Sequence, residues 1–306
     1  MAGKRTWRVA LAGALGFALF AGTSGMGWAA DGAAAAGRSA VYGGGPFYSG
    51  GGKEMDVVRD SGFTTVILWS IHVDKDTGDL SFNDRKIIAG GEYVGDNPDW
   101  AAQLRTLKTA PTSVNRVEVS VGSAPPAQDW GAIEELLSSP DGTEKLRKNF
   151  AKLREVTGAD AINDDDEQTY DADSTIRFAR MAKEIGYQGF TIAPYTNTGH
   201  WKKVKDGLGS QLDRVYLQDY AGGAGNDPGQ WGRDLGMPVD PGLWSKHGEG
   251  CAEGDSPDQV RDTMRGWHSS AGIPGGFLWL YDDIAKCAQQ GRTAKDYARA
   301  VNEGTA

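Results

Sequence analysis

The feature that most constrains this chain is an alternation of short apolar or β-branched runs with longer helical patterns, from about residue 40 onward. Such an alternation predicts a parallel sheet whose helices lie outside it. The candidate strands come at fairly even intervals. They are Ala40–Gly43, Thr64–Ser70, Val114–Gly122, Ala159–Asp165, Gly189–Ala193, Arg214–Gln218, Met237–Asp240 and Gly275–Leu280.

Helical candidates lie between these runs, and glycine follows several of them, as is common just beyond a helix end. They include Lys53–Ser61, Trp100–Lys108, Thr143–Thr157, Ser174–Ile185, Thr198–Leu208 and Pro257–Ala271. In the clearest of them, Ser174 is the predicted N-cap of an amphipathic stripe. Eight strand-then-helix units without a linker predict an α/β fold, a single-domain (β/α)8 TIM barrel over residues 40–306, rather than an open doubly wound sheet. The segment from Ala221 to Gly236 is rich in Gly, Asn and Asp and is predicted to be a long rim loop.

The first thirty residues have the pattern of an export signal. Lys4, Arg5 and Arg8 precede an apolar run that ends near Ala21, and small residues follow. The run is short and Gly-rich for a bilayer span, although a single retained membrane helix stays open as an alternative. We therefore expect a secretory signal peptide over residues 1–30 and a flexible lead-in over 31–39. The mature protein would then be secreted and extracellular, without membrane contact.

Charge and cysteine content narrow the possible partners. The formal net charge is −9, and the predicted signal holds three basic and no acidic residues, so the mature chain is more acidic still. This disfavours nucleic acid as a partner. The only cysteines are Cys251 and Cys287, and an exported pair is usually bonded, which would stabilise the fold by ~3–4 kcal/mol. Two free buried thiols remain the alternative. We expect no metal, no cofactor and a monomer.

The most informative stretch is the acidic run from Asp160 to Glu167 at the fourth predicted strand. Side chains of a strand alternate between its faces, so Asn163, Asp165 and Glu167 point the same way. At the carboxyl end of a barrel strand, such inward groups form the floor of the active site. Three polar groups on that face would be a costly core, and they make sense as a proton-handling site. A solvated acidic loop remains an alternative, whereas the spacing fits a calcium loop poorly.

This run resembles the family 18 glycoside hydrolase signature D-x-x-D-x-D-x-E, with Asp160, Asn163, Asp165 and Glu167 at its marked positions. Three further stretches, in the right order, are similar to other motifs of that family. They are Ser120 to Ser123 for the third-strand S-x-G motif, Val215 to Tyr220 for the sixth strand of plant-type chitinases, and Gly275 to Trp279 for the eighth strand. The resemblance covers about Val41 to Asp283.

The resemblance implies a mechanism in which the acetamido group of the substrate is the nucleophile, so one protein acid suffices. Its implied catalytic residues are Glu167, which protonates the glycosidic oxygen, Asp165, which orients the acetamido group, and Tyr220, which hydrogen-bonds it. The expected activity is cleavage of β-1,4 linkages next to N-acetylglucosamine, in chitin-like oligosaccharides or N-glycan cores, with retention of configuration. A non-catalytic carbohydrate-binding barrel of the same family is the alternative. A serine or metal hydrolase is disfavoured, because neither G-x-S-x-G nor H-E-x-x-H occurs.

The predicted substrate-binding residues share an inward position or an aromatic ring, and each also has a purely structural interpretation. Trp279 is expected to stack beneath the sugar, although a Trp in an apolar strand is often core. Ser120 is as well suited to a hydrogen bond within the barrel as to a ligand contact. The full set is Asn163, Gln218, Trp279, Ser120 and Tyr42. Aromatic residues expected in loops offer further sugar subsites. These are Tyr42, Phe47, Tyr48, Trp201, Trp231 and Trp244.

Two departures from the signature carry expectations of their own. Asn163 replaces an aspartate and is expected to donate a hydrogen bond to Asp165. Asp164 stands where an apolar residue facing the helix layer is usual. An unpaired carboxylate there would cost several kcal/mol, unless Arg177 or Arg180 pairs with it.

Overall fold

The computed structural model describes residues 38–122, 128–245, 250–288 and 291–306. The predicted signal peptide, most of the lead-in and Ser123 lie outside the described residues. The strands are β1 (Arg38–Gly43), β2 (Thr65–Val73), β3 (Leu80–Phe82), β4 (Arg85–Ala89), β5 (Glu92–Tyr93), β6 (Arg116–Val121), β7 (Ala161–Asp164), β8 (Gly189–Ile192), β9 (Leu212–Gln218), β10 (Asp240–Trp244) and β11 (Gly275–Trp279). The helices are α1 (Gly45–Ser49), α2 (Gly51–Arg59), α3 (Trp100–Thr106), α4 (Asp129–Leu137), α5 (Pro140–Thr157), α6 (Ala172–Glu184), α7 (Thr198–Leu208), α8 (Pro228–Leu235), α9 (Pro257–Ala271), α10 (Tyr281–Cys287) and α11 (Ala294–Gly304).

Eight parallel strands close into a barrel, because β1 pairs with β2 on one side and with β11 on the other. The strand order around the barrel is β1, β2, β6, β7, β8, β9, β10 and β11, and helices surround it. The predicted (β/α)8 barrel is therefore confirmed. Seven of the eight predicted strands start within two residues of their observed start. None of the helices in the described residues is long and apolar enough to cross a membrane.

Local capping chemistry explains where several helices begin and end. Ser139 accepts a hydrogen bond from the Gly142 amide and starts α5, and Gly158, at a φ of 64°, ends it. The prediction that Ser174 caps α6 is wrong. Asp171 is the N-cap, because it directly precedes α6 and its carboxylate accepts from the amide of Ser174, the third residue of the helix.

The structure differs from the sequence predictions in four further places. The seventh barrel strand starts at Asp240 rather than Met237, because the Met237 amide still bonds back to Gly232 beyond the end of α8. The predicted rim loop contains α8, whose N-cap Asp227 accepts from two backbone amides. The antiparallel strands β3 to β5 extend the sheet beyond β2 and were not predicted. Finally, β1 begins at Arg38, inside the expected lead-in.

The apolar core lies mainly between the barrel strands and the helices. Side chains such as Val119, Ile162 and Phe190 have no exposed surface there. A second, smaller cluster around Tyr42, Tyr216 and Phe277 packs against the partly buried Trp69, Trp244 and Trp279. The interior of the barrel also holds buried polar residues, among them Glu118, Asn163 and Thr191.

The predicted disulfide is present. Cys251 and Cys287 are joined, with their Cα atoms 5.6 Å apart. The bond ties the segment that follows β10 to the last residue of α10. It therefore closes a loop around the last strand of the barrel.

Candidate active site

Two carboxyl groups meet beyond the carboxyl end of β7, held by one amide from β9. The Nε2 atom of Gln218 donates to Oδ1 of Asp165 at 3.2 Å and lies 3.4 Å from Oε1 of Glu167. It also donates to the Ala193 carbonyl at 2.8 Å, which fixes the amide against β8. One nitrogen with two hydrogens thus serves three acceptors, and it brings Asp165 and Glu167 together as the sequence predicted.

Burial raises the pKa of both carboxyl groups. Asp165 is only 5% exposed, and desolvation followed by the charge of Glu167 raises its pKa well above the ordinary value. Glu167 is half-buried, and desolvation raises its pKa while the hydrogen bond from Gln218 opposes the shift. A glutamic acid with a raised pKa keeps its proton to higher pH than usual, which suits general acid chemistry.

Trp69 is a site residue that sequence reasoning did not find. It lies in β2, and its Nε1 atom donates to Oδ2 of Asp165 at 3.2 Å. Its ring also meets that of Trp279 edge to face, with centroids 4.7 Å apart. The available signal was a tryptophan near the carboxyl end of a predicted strand, where barrel enzymes place functional groups.

Trp279 and Tyr220 form an aromatic floor beside the carboxyl pair. Their rings stack with centroids 6.0 Å apart and planes 26° apart, and Trp244 stacks on Tyr220 at 5.7 Å. Trp279 is half-buried and so keeps an accessible part, which a sugar ring needs for stacking. Burial and the charges of Asp165 and Glu167 raise the pKa of Tyr220 well above its usual value.

Three predicted substrate contacts lie beneath this floor instead of on it. Asn163 and Ser120 have no exposed surface and Tyr42 is 2% exposed, so direct contact with a sugar is not supported. Tyr42 lies in β1 rather than in a loop. Its hydroxyl and that of Ser120 donate to Oδ1 of Asn163, at 3.0 and 2.8 Å. In the part of the chain that the structure describes, no hydrogen bond joins Asn163 to Asp165, because its Nδ2 donates to Thr191 at 3.0 Å.

The other acidic residues of the run face away from the site. Asp166 accepts hydrogen bonds from the backbone amides of Gln168, Thr169 and Tyr170, and so shapes the turn that carries Glu167. Asp164 is fully buried, and its Oδ1 accepts from the Asp166 amide at 2.9 Å.

Within the described ranges, no base pairs with Asp164. Arg177 donates to the Leu137 carbonyl and Arg180 to the Gly207 carbonyl. Oδ2 of Asp164 has no partner among the described residues, and burial raises the pKa of this carboxyl well above its usual range. A neutral, protonated carboxyl group avoids the cost of a buried unpaired charge.

Most of the loop aromatic residues that were candidates for further sugar subsites are buried. Phe47, Tyr48, Trp201 and Trp231 are each at most 6% exposed, because they pack in the main core. Trp244 is half-buried at the end of β10 and is the member of that set beside the floor.

The third-strand motif has a steric role. Gly122 follows β6 with a φ of 104°, and a Cβ placed there would lie 2.7 Å from the Asp165 carbonyl oxygen. Only glycine allows this approach of the backbone to the acidic turn. The motif therefore helps to place Asp165.

A hydrogen-bonded chain also joins β2 to α4 through Ser70, His72 and Asp129. The hydroxyl of Ser70 is 2.9 Å from Nε2 of His72, and Nδ1 of His72 is 3.0 Å from Oδ2 of Asp129. Ser70 is 1% exposed, so the chain is a tie between β2 and α4 rather than an open nucleophile. Among the described residues, no three His, Cys, Asp or Glu side chains form a metal-binding group.

Neither a family sequence model nor a curated protein sequence matches this chain. Solved structures do match it in fold. The chitinase ChiC from Aspergillus fumigatus has a TM-score of 0.62 at 18% identity, over 80% of this chain and 91% of its own. A putative chitinase A from Streptomyces coelicolor has a TM-score of 0.60 at 16% identity, over 88% and 98%. A family GH18 chitinase from Cycas revoluta, in complex with allosamidin, has a TM-score of 0.59 at 12% identity, over 86% and 99%. The chain thus has the (β/α)8 fold of family 18 chitinases.

Proposed function

We propose that this protein is a glycosidase that cleaves β-1,4 linkages next to N-acetylglucosamine, with Glu167 as the general acid. The observation that carries the proposal is the pair of carboxyl groups joined by Gln218 beside an aromatic floor. Both carboxyl groups have raised pKa values, and the fold is that of chitinases.

The proposed roles follow the positions of the side chains. Glu167 is half-buried and gives its proton to the glycosidic oxygen. Asp165, fixed by Trp69 and Gln218, orients the acetamido group whose oxygen attacks the anomeric carbon. Tyr220 hydrogen-bonds the same acetamido group, and Trp279 stacks beneath the sugar. Because the product forms by two displacements at one carbon, the configuration is retained.

Replacement of Glu167 by glutamine tests the assignment. Glu167→Gln keeps the shape of the side chain and removes its proton, so we expect turnover of chito-oligosaccharides to fall by at least ~100-fold while affinity is kept. Glu303→Gln is the matched control, since Glu303 is an exposed residue of α11. Wild-type protein that binds the oligosaccharide but never cleaves it would favour a carbohydrate-binding barrel instead.

Substrate class and export are tested separately. Incubation with labelled chito-oligosaccharides and with a high-mannose glycoprotein, followed by mass spectrometry, distinguishes a chitin-like substrate from an N-glycan core. We also propose that residues 1–30 are a signal peptide. N-terminal sequencing of protein collected from culture medium should then find an end near residue 30, and full-length protein held in the membrane would contradict this.

A further inference from the structure

A continuous chain of buried polar groups runs from the centre of the barrel to the acidic strand end. Glu118 in β6 is fully buried, and its Oε2 accepts from the Thr191 hydroxyl at 2.6 Å. Thr191 in β8 in turn accepts from Nδ2 of Asn163 at 3.0 Å. Oδ1 of Asn163 accepts from the hydroxyls of Tyr42 and Ser120. Every link of the chain is thus within hydrogen-bonding distance.

The direction of the chain is set at its inner end. Oε1 of Glu118 accepts from Nε of Arg116 at 2.6 Å and from the Tyr216 hydroxyl at 2.8 Å. A carboxylate paired with a guanidinium has acceptors only. The Thr191 hydroxyl must therefore donate to Glu118, which leaves its lone pairs for Asn163.

The fixed direction reaches the candidate active site through Asn163. An asparagine amide has an acceptor and a donor end, and Thr191 takes the donor end. The acceptor end then faces Tyr42, whose hydroxyl proton is committed to it. Asn163 precedes Asp165 by two residues, and the Tyr42 ring packs against Trp279, which meets Trp69, the donor to Asp165. The Tyr42 hydroxyl therefore lies on the Asp165 side of the barrel while its proton goes to Asn163. Burial, and after it the charge of Asp165, raises the pKa of Tyr42.

We propose that Glu118 and Thr191 are positioning residues that fix the Asn163 amide and so keep the Tyr42 hydroxyl proton away from Asp165. Asp165 then receives side-chain hydrogen bonds from Trp69 and Gln218, both of which belong to the open site. The inference rests on the proposed glycosidase function and adds to it two residues that do not touch the substrate.

Thr191→Val tests the inference without changing any charge. Valine has the shape of threonine but no hydroxyl, so the Asn163 amide is free to turn and the Tyr42 proton can reach Asp165. The substitution removes none of the titratable groups that interact electrostatically with Asp165, which are Glu167, Asp164, Asp166, Asp129, Tyr42 and Tyr220. We expect the acid limb of the kcat/KM profile to move to lower pH, because a new hydrogen bond stabilises the carboxylate. We also expect kcat to fall about tenfold, with little change in KM, because a hydrogen bond from Tyr42 weakens the interaction of the Asp165 carboxylate with the acetamido group in the transition state.

Two further variants complete the experiment. Thr191→Ser keeps the hydroxyl and should have the wild-type pH profile. Glu118→Gln keeps the bonds from Arg116 and Tyr216 at its oxygen, so its new amide nitrogen faces Thr191 and reverses the chain. Glu118→Gln should move the acid limb in the same direction as Thr191→Val. It replaces Thr191→Val in the experiment if circular dichroism shows that Thr191→Val is unfolded.

The outcomes separate the two proposals. Wild-type protein without any cleavage of chito-oligosaccharides or N-glycans overturns the proposed function, and the positioning role with it. If the wild type is active and Thr191→Val has the same acid limb and kcat, the positioning role alone is overturned. If Thr191→Val does not fold, the same result in Glu118→Gln overturns it. An equal shift in Thr191→Ser would also contradict it, since the hydroxyl is still present there.

Discussion

Asp166→Ala should destabilise the protein strongly, although Asp166 does not face the candidate active site. The carboxylate is 4% exposed and accepts three backbone hydrogen bonds, from Gln168 at 2.9 Å, Thr169 at 2.8 Å and Tyr170 at 2.5 Å. A hydrogen bond to a charged group contributes about 1.5–3 kcal/mol when buried. The donors here belong to half-buried residues, where water replaces part of each bond, so we take about 1 kcal/mol for each. The free energy of unfolding should fall by about 3 kcal/mol.

Urea unfolding followed by tryptophan fluorescence measures this loss. Asp84→Ala is the matched control, because Asp84 is exposed in the turn between β3 and β4. The control should change the free energy of unfolding by less than about 0.5 kcal/mol. A loss below about 1 kcal/mol in Asp166→Ala would show that the three bonds do not hold the turn. Turnover should also fall in Asp166→Ala, because the same turn carries Glu167.

Two further predictions concern the aromatic floor and the disulfide. Trp279→Ala should weaken chito-oligosaccharide binding by roughly 2 kcal/mol, about thirty-fold, as measured by calorimetry, because the stacking surface of the floor is lost. Unchanged affinity would show that the sugar does not lie on this ring. Replacing Cys251 and Cys287 together by serine should lower the free energy of unfolding by about 4 kcal/mol, since the bonded residues are 36 positions apart. As an internal check, reduction of the wild-type protein should lower its free energy of unfolding by the same amount. An unchanged free energy of unfolding in both the variant and the reduced protein would contradict an entropic contribution of the disulfide.

The fold was predictable because its signal is repeated. Strands such as Val114–Gly122 and helices such as Thr198–Leu208 carry their own apolar pattern, and eight successive units leave few arrangements other than a closed barrel. The errors fall where the pattern is weak. The short strands β3 to β5 are two to five residues long, and α8 lies in a segment whose Gly and Asp content resembles a loop. In that segment the N-cap at Asp227 and the C-cap at Gly236 were the overlooked signals.

The candidate site was predictable in its residue types more than in its contacts. Alternation along the predicted strand put Asp165 and Glu167 on one face, and the two do meet at Gln218, although β7 ends at Asp164 and Glu167 lies in the turn that follows. It did not reveal that the Asn163 amide donates to Thr191. That contact depends on Thr191 in β8, whose own hydroxyl is oriented by Glu118 in β6. Nor did it reveal Trp69, which reaches Asp165 from β2. Contacts between strands depend on register and side-chain direction, which one sequence does not specify.

Asp164 offers the sharpest test of the electrostatic interpretation, because its carboxyl group is buried without a base. Its pKa is raised by burial, so the protonated form is favoured in the fold and the ionised form in the unfolded chain above about pH 4. Its contribution to stability is therefore fully present below the unfolded pKa and is lost as the pH rises through the folded pKa, at about 1.4 kcal/mol for each pH unit between the two values.

Asp164→Asn keeps an oxygen for the Asp166 amide and cannot ionise. Relative to wild type, the stability of this variant should rise as the pH increases above about 4, whatever constant offset its unpaired NH₂ group adds. Urea unfolding at each pH measures the difference, and groups unchanged by the substitution cancel from it. A difference that does not vary with pH would mean that Asp164 ionises as easily in the fold as in the unfolded chain, and the argument from burial would be wrong.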